Sequence, residues 1–467
     1  MNSGVFKWLP LATALAVVSA LVIWFVAPGR LSLSPRIPGT DRPPGEAVPE
    51  PTGNPALRGT VTAGPGTAST LTGAWPRFRG ADLSNISREP VSLARQWSSG
   101  GPRKLWTIEV GEGYAGPAIL DGRIFLMDYD RVKKQDALRC LSLDDGREIW
   151  RFAYPMNVKR NHGMSRTVPA VTPDCVVAMG PKCHVVCVET ANGRLRWALD
   201  LVKDFGAEVP QWYAGQCPLI VEPHVILAPG GPEALLIAVE LETGKEVWRS
   251  PNPRGWKMSH SSIVPVAFPG RPLLVYCAAG GVAAVDAADG KPVWETDAWK
   301  ISFATVPCPV DLGGGRIFLT GGYNAGSMLI QLKAEQGSIR SEIVYRLKPD
   351  MFGATQHSPV YYEGHLFGTR ADGRFVCLDP ADGRVVWTSE AGSDFGLGSF
   401  MLADGLCFVL NDSGGLSLIQ ADPAAFKSLA TAQILDGPES WGPLALVGGR
   451  LIARDLNEMV CLDVSGP

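Results

Sequence analysis

The chain has 467 residues, of which 46% are hydrophobic and 19% are charged, and its formal net charge is −3 at pH 7. This length suits roughly two or three ordinary domains, and the hydrophobic fraction is ample for a large core. The weakly acidic balance argues against a nucleic-acid-binding protein, which normally carries a basic surface. The 53 Gly and 38 Pro are typical of a structure with many short strands and turns.

The N-terminus carries an apolar segment. Residues 9–27 are almost wholly apolar, and no charge occurs between Trp8 and Gly29. This is about the length that a helix needs to span a bilayer. The alternative is a cleaved signal peptide, since Lys7 precedes the run, but the run is long for one and lacks a small-residue cleavage site. We predict that residues 1–29 are an uncleaved membrane anchor; the protein is secreted if they are removed.

Residues 30–73 are rich in Pro, Gly, Ser and Thr and show neither helical nor strand periodicity. Such a segment buries too little apolar surface to offset its ordering entropy. We therefore predict a disordered spacer here, with folded sequence resuming at residue 74.

One motif recurs along the rest of the chain: an apolar residue, an acidic residue, a tight turn with Gly, and a strand that ends in Trp. Clear copies lie at residues 142–150, 188–197, 240–248, 285–294 and 378–387. The Asp-Gly, Asn-Gly and Thr-Gly pairs supply the positive φ angles that tight hairpins need. The constant phase of the Trp predicts that it packs in the same way in each unit. The predicted docking residues are Trp106, Trp150, Trp197, Trp248, Trp294 and Trp387.

A second half-motif, usually a Pro followed by an apolar stretch and a turn, precedes each Trp motif. It begins at Pro117, Pro169, Pro218, Pro265, Pro309, Pro359 and Pro443, and residues 400–405 take the same place without Pro. Units of about 45 residues with four strands each are typical of β-propellers. The sequence therefore predicts an all-β, eight-bladed propeller of four-stranded antiparallel blades over residues 74–467. Seven blades would leave one copy unassigned.

The last unit is one strand short, and residues 104–110 carry a strand pattern with Trp106 in the expected place. We predict that the N- and C-terminal strands pair in one blade, which leaves no open sheet edge. The fifth and seventh units lack the Trp, and Tyr345 is the predicted replacement in the fifth.

The sequence positions of the ten cysteines do not indicate a disulfide framework. Cys140, Cys187, Cys377 and Cys461 precede the acidic position on the apolar strand, where a small buried hydrophobe belongs. We predict mostly free core thiols and leave one or two disulfide pairs open. Cys183 and Cys187 lack the second ligand pair of a zinc site.

The phased Trp motif resembles the tryptophan-docking repeat of the pyrroloquinoline quinone (PQQ)-like propellers, from Trp75 to the C-terminus. Two groups share that repeat: the quinoprotein alcohol and glucose dehydrogenases, which hold PQQ and calcium, and the non-enzymatic propellers typified by BamB. Residues 75–80 and 357–368 are most similar to exported PQQ-like repeat proteins of planctomycete-type bacteria. The resemblance implies an extracytoplasmic, periplasmic location. The apolar N-terminal segment would then anchor the propeller in the inner membrane.

The dehydrogenase resemblance implies a pair of adjacent cysteines and a ring of calcium-binding carboxylates around the channel. The sequence contains no Cys-Cys pair, and the positions predicted to face the channel carry few acidic residues. Calcium takes six to eight oxygen ligands. We therefore predict no catalytic residue, no metal site and no cofactor, and we keep PQQ with calcium as the alternative.

Polar and aromatic residues instead occupy the positions predicted to line one mouth of the channel. The candidate ligand or partner contacts are Tyr114, His162, Arg166, His260, Gln356, His357 and Trp441. One interpretation is that they only satisfy inner-strand hydrogen bonds and hold channel waters. The other is a ligand pocket in which Arg166 takes an anion and the aromatic rings form a stacking wall.

Tryptophans outside the repeat phase and two long connections are further candidates for an interface, because Trp is enriched at binding hot spots. These are Trp97, Trp212, Trp256, Trp299 and Trp441, with connections at residues 203–212 and 252–258.

Three functions follow as hypotheses. The preferred one is a membrane-tethered, extracytoplasmic, non-enzymatic binding or scaffold module whose partner is an unidentified protein or small ligand. The alternatives are a PQQ-dependent oxidoreductase with a divergent site and a small-molecule or glycan sensor. No nucleic-acid partner is expected.

Overall fold

The computed structural model describes residues 13–19, 22, 53–335 and 337–466. Residues 13–19 are helical and belong to an N-terminal unit, Met1–Val48, that is separate from the unit Pro49–Pro467. Within the described ranges, no helix combines the length and apolar character needed to cross a membrane. Most of the predicted anchor over residues 1–29 lies outside the described residues, so the anchor stays a prediction.

The larger unit is an eight-bladed β-propeller, as predicted. Its described residues form eight sheets, each built on four antiparallel strands. In seven sheets these four strands follow one another in sequence, and in the eighth three consecutive strands pair with one from the N-terminal part of the unit. The first strand of each blade lies beside the central channel and the fourth lies at the rim.

The strands of the N-terminal segments and the first four blades are as follows. They are β1 (Thr60–Ala63), β2 (Ala74–Trp75), β3 (Ile86–Ser87) and β4 (Arg103–Glu109); blade 1, β5 (Ala118–Leu120), β6 (Arg123–Asp130), β7 (Gln135–Ser142) and β8 (Glu148–Pro155); blade 2, β9 (Ala170–Val171), β10 (Cys175–Met179), β11 (His184–Glu189) and β12 (Leu195–Asp200); blade 3, β13 (Leu219–Val221), β14 (His224–Leu227), β15 (Leu236–Glu240) and β16 (Glu246–Ser250); blade 4, β17 (Val264–Phe268), β18 (Arg271–Ala278), β19 (Gly281–Asp286) and β20 (Pro292–Thr296).

The remaining four blades continue the same order. They are blade 5, β21 (Val310–Asp311), β22 (Arg316–Gly321), β23 (Gly326–Glu335) and β24 (Ser338–Leu347); blade 6, β25 (Val360–Tyr362), β26 (His365–Thr369), β27 (Phe375–Asp379) and β28 (Arg384–Thr388); blade 7, β29 (Phe400–Ala403), β30 (Leu406–Leu410), β31 (Gly415–Gln420) and β32 (Ser428–Gln433); blade 8, β33 (Ala445–Val447), β34 (Arg450–Arg454) and β35 (Glu458–Asp463). A 3₁₀ helix at Pro55–Arg58 and an α-helix at Leu201–Phe205 lie outside the blades.

The ring closes as predicted. Strand β4 pairs with β35 and completes blade 8, with Trp106 opposite Cys461. The N- and C-terminal segments therefore share one sheet, so that blade 8 has no missing outer strand.

The tryptophan motif docks each blade onto the next. Trp150 of blade 1 lies opposite Cys140 and against Gly193 in the outer turn of blade 2, where its Nε1 donates to the carbonyl of Thr190 at 3.1 Å. The same bond is made by Trp106, Trp197 and Trp387 to Leu143, Leu241 and Asp422 of the following blades. Trp248 packs on Gly290 in the same way, and Trp294 is buried in the core that blades 4 and 5 share.

A register shift recurs at the docking position. In all eight blades the pairing of the third and fourth strands shifts once, immediately after the residue opposite the docking position. A bulge bends its strand locally and re-aims side chains. The repeated shift therefore accounts for the constant orientation of the Trp.

Tyr345 replaces the Trp of blade 5, as predicted. Its ring lies against Gly383, and its hydroxyl donates to the carbonyl of Pro380 at 3.0 Å. Blade 7 has Ala430 at this position, opposite Leu418.

All ten cysteines are buried with free thiols. Cys140, Cys187, Cys377 and Cys461 each lie opposite a docking Trp, where a small side chain leaves room for the indole.

The predicted spacer is wrong for residues 53–73, and residues 30–52 lie outside the described residues. Strand β1 pairs with β8 at the outer edge of blade 1, with Thr60 opposite Ala153, and Gly64 donates to Ile149 at 2.8 Å. The outer strand offers unpaired backbone groups, and the β-branched residues of β1 suit that edge. The Pro and Gly around this short strand hid it in the sequence.

Substitution of Gly193 tests the docking geometry. A Cβ at Gly193 would lie 2.6 Å from Cε3 of Trp150, whereas a Cβ at Gly364 has nothing within 4 Å. The two glycines have φ values of +74° and +80°, so their backbone strain is matched. Gly364→Ala should cost about 1 kcal/mol of unfolding free energy. Gly193→Ala should cost about 1–3 kcal/mol more, because the indole must move. Chemical unfolding measures the unfolding free energies of both variants. Equal losses would contradict the packing of Trp150 against Gly193.

Candidate ligand-binding site

The chain between β2 and β3 crosses the centre of the propeller. The carbonyl of Pro76 accepts from Val171 of blade 2, and Arg77 donates to the carbonyl of Ile220 of blade 3 at 2.8 Å. Asn85 then donates to Phe400 of blade 7 at 2.6 Å, and β3 pairs with β29 of the same blade. We call residues 76–87 the plug, because they close the channel.

Arg79 ties the plug to blade 6. Its buried guanidinium donates to the carbonyls of Ser358 and Pro359 at 3.1 and 3.0 Å, and to those of Leu83 and Ser84 within the plug. Burial lowers the pKa of Arg79 to about 10, so the group stays charged at neutral pH. Blades 3 and 6 lie nearly opposite each other in a ring of eight, so the plug spans the channel.

A cavity of about 410 Å³ lies at one mouth of the channel, with Phe78 of the plug among its lining residues. Every blade contributes to the lining, in most cases from the connection that precedes its first strand. All seven residues predicted from the sequence line this cavity: Tyr114, His162, Arg166, His260, Gln356, His357 and Trp441. The structure therefore brings the predicted set together in one place, which we call the cup.

Aromatic rings form much of the wall of the cup. The ring centroids of Trp212 and Phe303 are 4.7 Å apart, and those of Phe303 and Tyr323 are 4.8 Å apart. On another side, Tyr114 stacks on Trp441 at 5.3 Å. Phe303 remains 56% exposed at the mouth. An aromatic wall of this kind is typical of small-molecule sites.

Arg166 holds part of the wall in place. Its Nε donates to the carbonyl of Trp212, and its Nη2 lies 3.1 Å from the carbonyl of Asn161 and 3.4 Å from that of Gly163. Its Cζ lies 4.8 Å from the ring centroid of Tyr114. Most of the N–H donors of Arg166 are thus hydrogen-bonded to backbone carbonyls. The guanidinium therefore mainly orders the wall and has few donors left for a ligand.

The nearby carboxylates lie behind the aromatic rings. The Tyr114 hydroxyl donates to Glu439, and Trp441 Nε1 donates to Asp412 at 2.7 Å. Asp412 also accepts from the backbone of Leu397 at 2.8 Å. These two acids orient Tyr114 and Trp441 and do not line the cup.

Two histidines of the cup are held neutral. Burial, with the charge of Arg166, lowers the pKa of His260 to about 4; burial, with the charge of Arg79, lowers the pKa of His357 to about 3. The backbone of Tyr213, for His260, and of Trp441, for His357, opposes these pKa shifts only in part. Their Nε2 atoms are buried without a hydrogen-bond partner in the described part of the chain.

The cup does not fit PQQ with calcium. Among the described residues, no Asp or Glu lines the cup, and Arg166 is the one arginine or lysine in its lining. The described residues also contain no group of three His, Cys, Asp or Glu side chains that could hold a metal ion. Calcium needs several oxygen ligands, of which carboxylates are the usual source.

Sequence reasoning missed Phe78, Phe303 and Tyr323, which come from the plug, a connection between blades and a hairpin within blade 5. Only some of the tryptophans outside the repeat phase lie at the candidate site. Trp212 and Trp441 line the cup, whereas Trp256 and Trp299 are buried core residues. Trp97 packs against the core that blades 7 and 8 share.

The fold and the docking repeat define a PQQ-like β-propeller. The chain matches the family model described as outer membrane protein assembly factor BamB over residues 94–212, 232–399 and 325–441. The chain therefore belongs to this BamB-like family of PQQ-like propellers, as the sequence repeat predicted.

Solved structures share the fold at low identity. BamB from Moraxella catarrhalis is 13% identical with a TM-score of 0.53, and the match covers 77% of this chain and 99% of that one. A quinohemoprotein alcohol dehydrogenase from Pseudomonas putida HK5 is 12% identical with a TM-score of 0.55, covering 85% and 81%. The computationally designed Ika8 protein is 10% identical with a TM-score of 0.52, covering 77% and 99%. None of the curated proteins compared with the chain matches it.

The low pKa values of the two histidines predict an acid-sensitive stability. Between pH 6.5 and about 4 the unfolded chain binds protons that the folded imidazoles exclude, so the unfolding free energy falls as the pH falls. Each histidine contributes about 1.4 kcal/mol per pH unit over that window. His260→Gln combined with His357→Gln should flatten this slope, measured by urea unfolding at several pH values. His365→Gln, outside the cup, is the control; an unchanged slope in the double variant would contradict the assignment.

Proposed function

We propose that this chain is a membrane-tethered, extracytoplasmic β-propeller that acts as a non-enzymatic binding module and takes its ligand or partner in the cup. The BamB-like fold supports a propeller module. The cup supports the place of binding, because it is concave, largely aromatic and lined by residues from all eight blades.

The observation that carries the proposal is the environment of four titratable groups of the cup. Arg166 donates to backbone carbonyls, the Tyr114 hydroxyl donates to Glu439, and burial lowers the pKa values of His260 and His357. A general base has a pKa near the working pH and lies within reach of the proton that it removes. Imidazoles with pKa values of about 4 and 3 are weak bases at neutral pH. This arrangement supports recognition over catalysis, without PQQ or calcium.

The proposed location rests on the sequence. The apolar run at residues 9–27 is long enough for an anchor. The description of the matched family model, an outer membrane protein assembly factor, supports a periplasmic propeller. The net charge of −3 supports a protein or small-molecule partner and no nucleic acid.

Turnover assays test the absence of catalysis. The purified full chain, supplied with PQQ and calcium and an artificial electron acceptor, should oxidise neither simple alcohols nor aldoses above the rate of a protein-free control. PQQ and calcium should also leave its melting temperature unchanged, because binding to the folded state would raise it. Steady turnover that is lost in His357→Gln would contradict the non-enzymatic proposal and favour a divergent quinoprotein.

Membrane fractionation tests the tether. The full chain should stay in the membrane pellet after alkaline carbonate extraction, and protease added to spheroplasts should digest the propeller. A variant that lacks residues 1–29 should not be membrane-bound. Protection of the propeller in spheroplasts, or its release by carbonate, would contradict the proposed location or the anchor.

A further inference from the structure

Blade 5 has the longest outer strand of the propeller, and the edge of that strand is free. Strand β24 has 10 residues, β8 has 8, and the other outer strands have 5 to 7. The edge of β8 is already paired with β1 of this chain. Within the described ranges, no strand pairs with the outer edge of β24. A long unpaired edge is a template for the addition of another strand.

The pairing of β23 shows which backbone groups of β24 face outward. The N–H of Leu332 donates to the carbonyl of Gly315 beside β22 at 2.8 Å, and Leu332 lies opposite Ser341. In an antiparallel sheet, a residue that bonds one neighbouring strand turns both of its backbone groups away from the other. The N–H and C=O of Ser341 therefore point to the free edge. Because the orientation alternates along a strand, those of Ile339 and Ile343 do so too.

The residues at the centre of β24 are complementary to themselves. When two copies of this strand run antiparallel about Ser341, Arg340 of each copy lies opposite Glu342 of the other. Ile339 lies opposite Ile343 in the same arrangement, and Ile343 is 43% exposed in the single chain. Opposite charges and aliphatic pairs across strands are stabilising, and like charges directly opposite are destabilising. A second copy of this chain supplies the matching order, which singles it out as the occupant of the edge.

The charged side chains of β24 are available for such contacts. Within one copy, Arg340 pairs with Glu335 at 3.3 Å and Glu342 pairs with Lys333 of β23. All four side chains are more than half exposed. Exposed ion pairs contribute little to stability, so Arg340 and Glu342 can also contact a neighbouring strand at small cost.

We propose that β24 of one copy pairs antiparallel with β24 of a second copy, about a two-fold axis at Ser341, and that the chain thereby forms a homodimer. The two copies of blade 5 then form one continuous sheet. A two-fold contact is closed, so the pairing stops at two copies. A single added strand buries less than the roughly 1,600 Å² of a standard interface, so we expect a weak dimer. This surface is separate from the cup and does not depend on the proposed function.

Disulfide cross-linking at the two-fold axis tests the pairing. In a hydrogen-bonded antiparallel pair the two Cα atoms lie about 5.5 Å apart, which is within the range that a disulfide spans. Mild oxidation of the full chain in detergent with diamide, which accepts the electrons and protons of the thiols, should convert Ser341→Cys to a covalent dimer. All ten native cysteines are buried, so the dimer reports on the introduced thiol. A non-reducing denaturing gel measures the dimer fraction.

Ser338→Cys is the matched control, because it is an exposed serine of the same strand. In the proposed pair the two Ser338 residues lie roughly 20 Å apart, so this variant should stay monomeric under the same oxidation. The melting temperature of each variant shows that it is folded. Absence of a covalent dimer in Ser341→Cys would overturn the proposal, and so would equal cross-linking at both positions.

Charge reversal tests the register independently. Arg340→Glu and Glu342→Arg each place like charges opposite each other, so each variant alone should dimerise about tenfold more weakly than the natural chain. In an equimolar mixture, acidic positions of one variant face basic positions of the other, and the dimer should return. Sedimentation velocity of the full chain in detergent, from micromolar to near-millimolar concentration, measures both effects. Single variants that dimerise like the natural chain, or a mixture as weak as its components, would contradict this pairing.

Discussion

The hydrogen bonds from Arg79 to the carbonyls of Ser358 and Pro359 are the constraint on which the cup depends. A buried guanidinium is tolerated only when its donors are satisfied, and Arg79 meets that condition with four carbonyls. These bonds hold a chain segment that begins on blade 1 against the far side of the ring. The centre of the propeller is therefore closed, with Phe78 facing the mouth. The mouth of the channel is therefore a cavity whose base is closed by the plug.

The closed centre also fixes the character of the cup. The charge of Arg79 and burial together keep His357 neutral, and the charge of Arg166 and burial do the same for His260. Glu439 and Asp412 are used to orient Tyr114 and Trp441 from behind. The surface that remains for a ligand consists mainly of aromatic faces, and no carboxylate is among its described lining residues. This lining differs from that of a site that holds a metal ion.

The architecture was readable from the sequence because its determinants are local. The Gly turn, the acidic residue and the Trp lie within one short stretch, and their phase repeats in each unit. The mouth residues were also predictable, since their place before each first strand follows from that phase. Arg79 could not be placed, because Ser358 lies 279 residues away in sequence. Strand β1 and Phe303 could not be predicted because their roles also depend on tertiary structure. Strand β1 pairs with an outer sheet edge, and Phe303 lines a cavity, and both features exist only in the closed ring.

Nitrogen NMR of the histidine side chains tests the central claim most directly, because it reports whether the two imidazoles of the cup are neutral. With selectively labelled histidine at pH 5, His260 and His357 should show the chemical shifts of neutral rings, since burial lowers their pKa values to about 4 and about 3. Addition of PQQ with calcium should leave these signals unchanged. Imidazolium signals from these two residues at pH 5, or signals that respond to PQQ and calcium, would contradict the account.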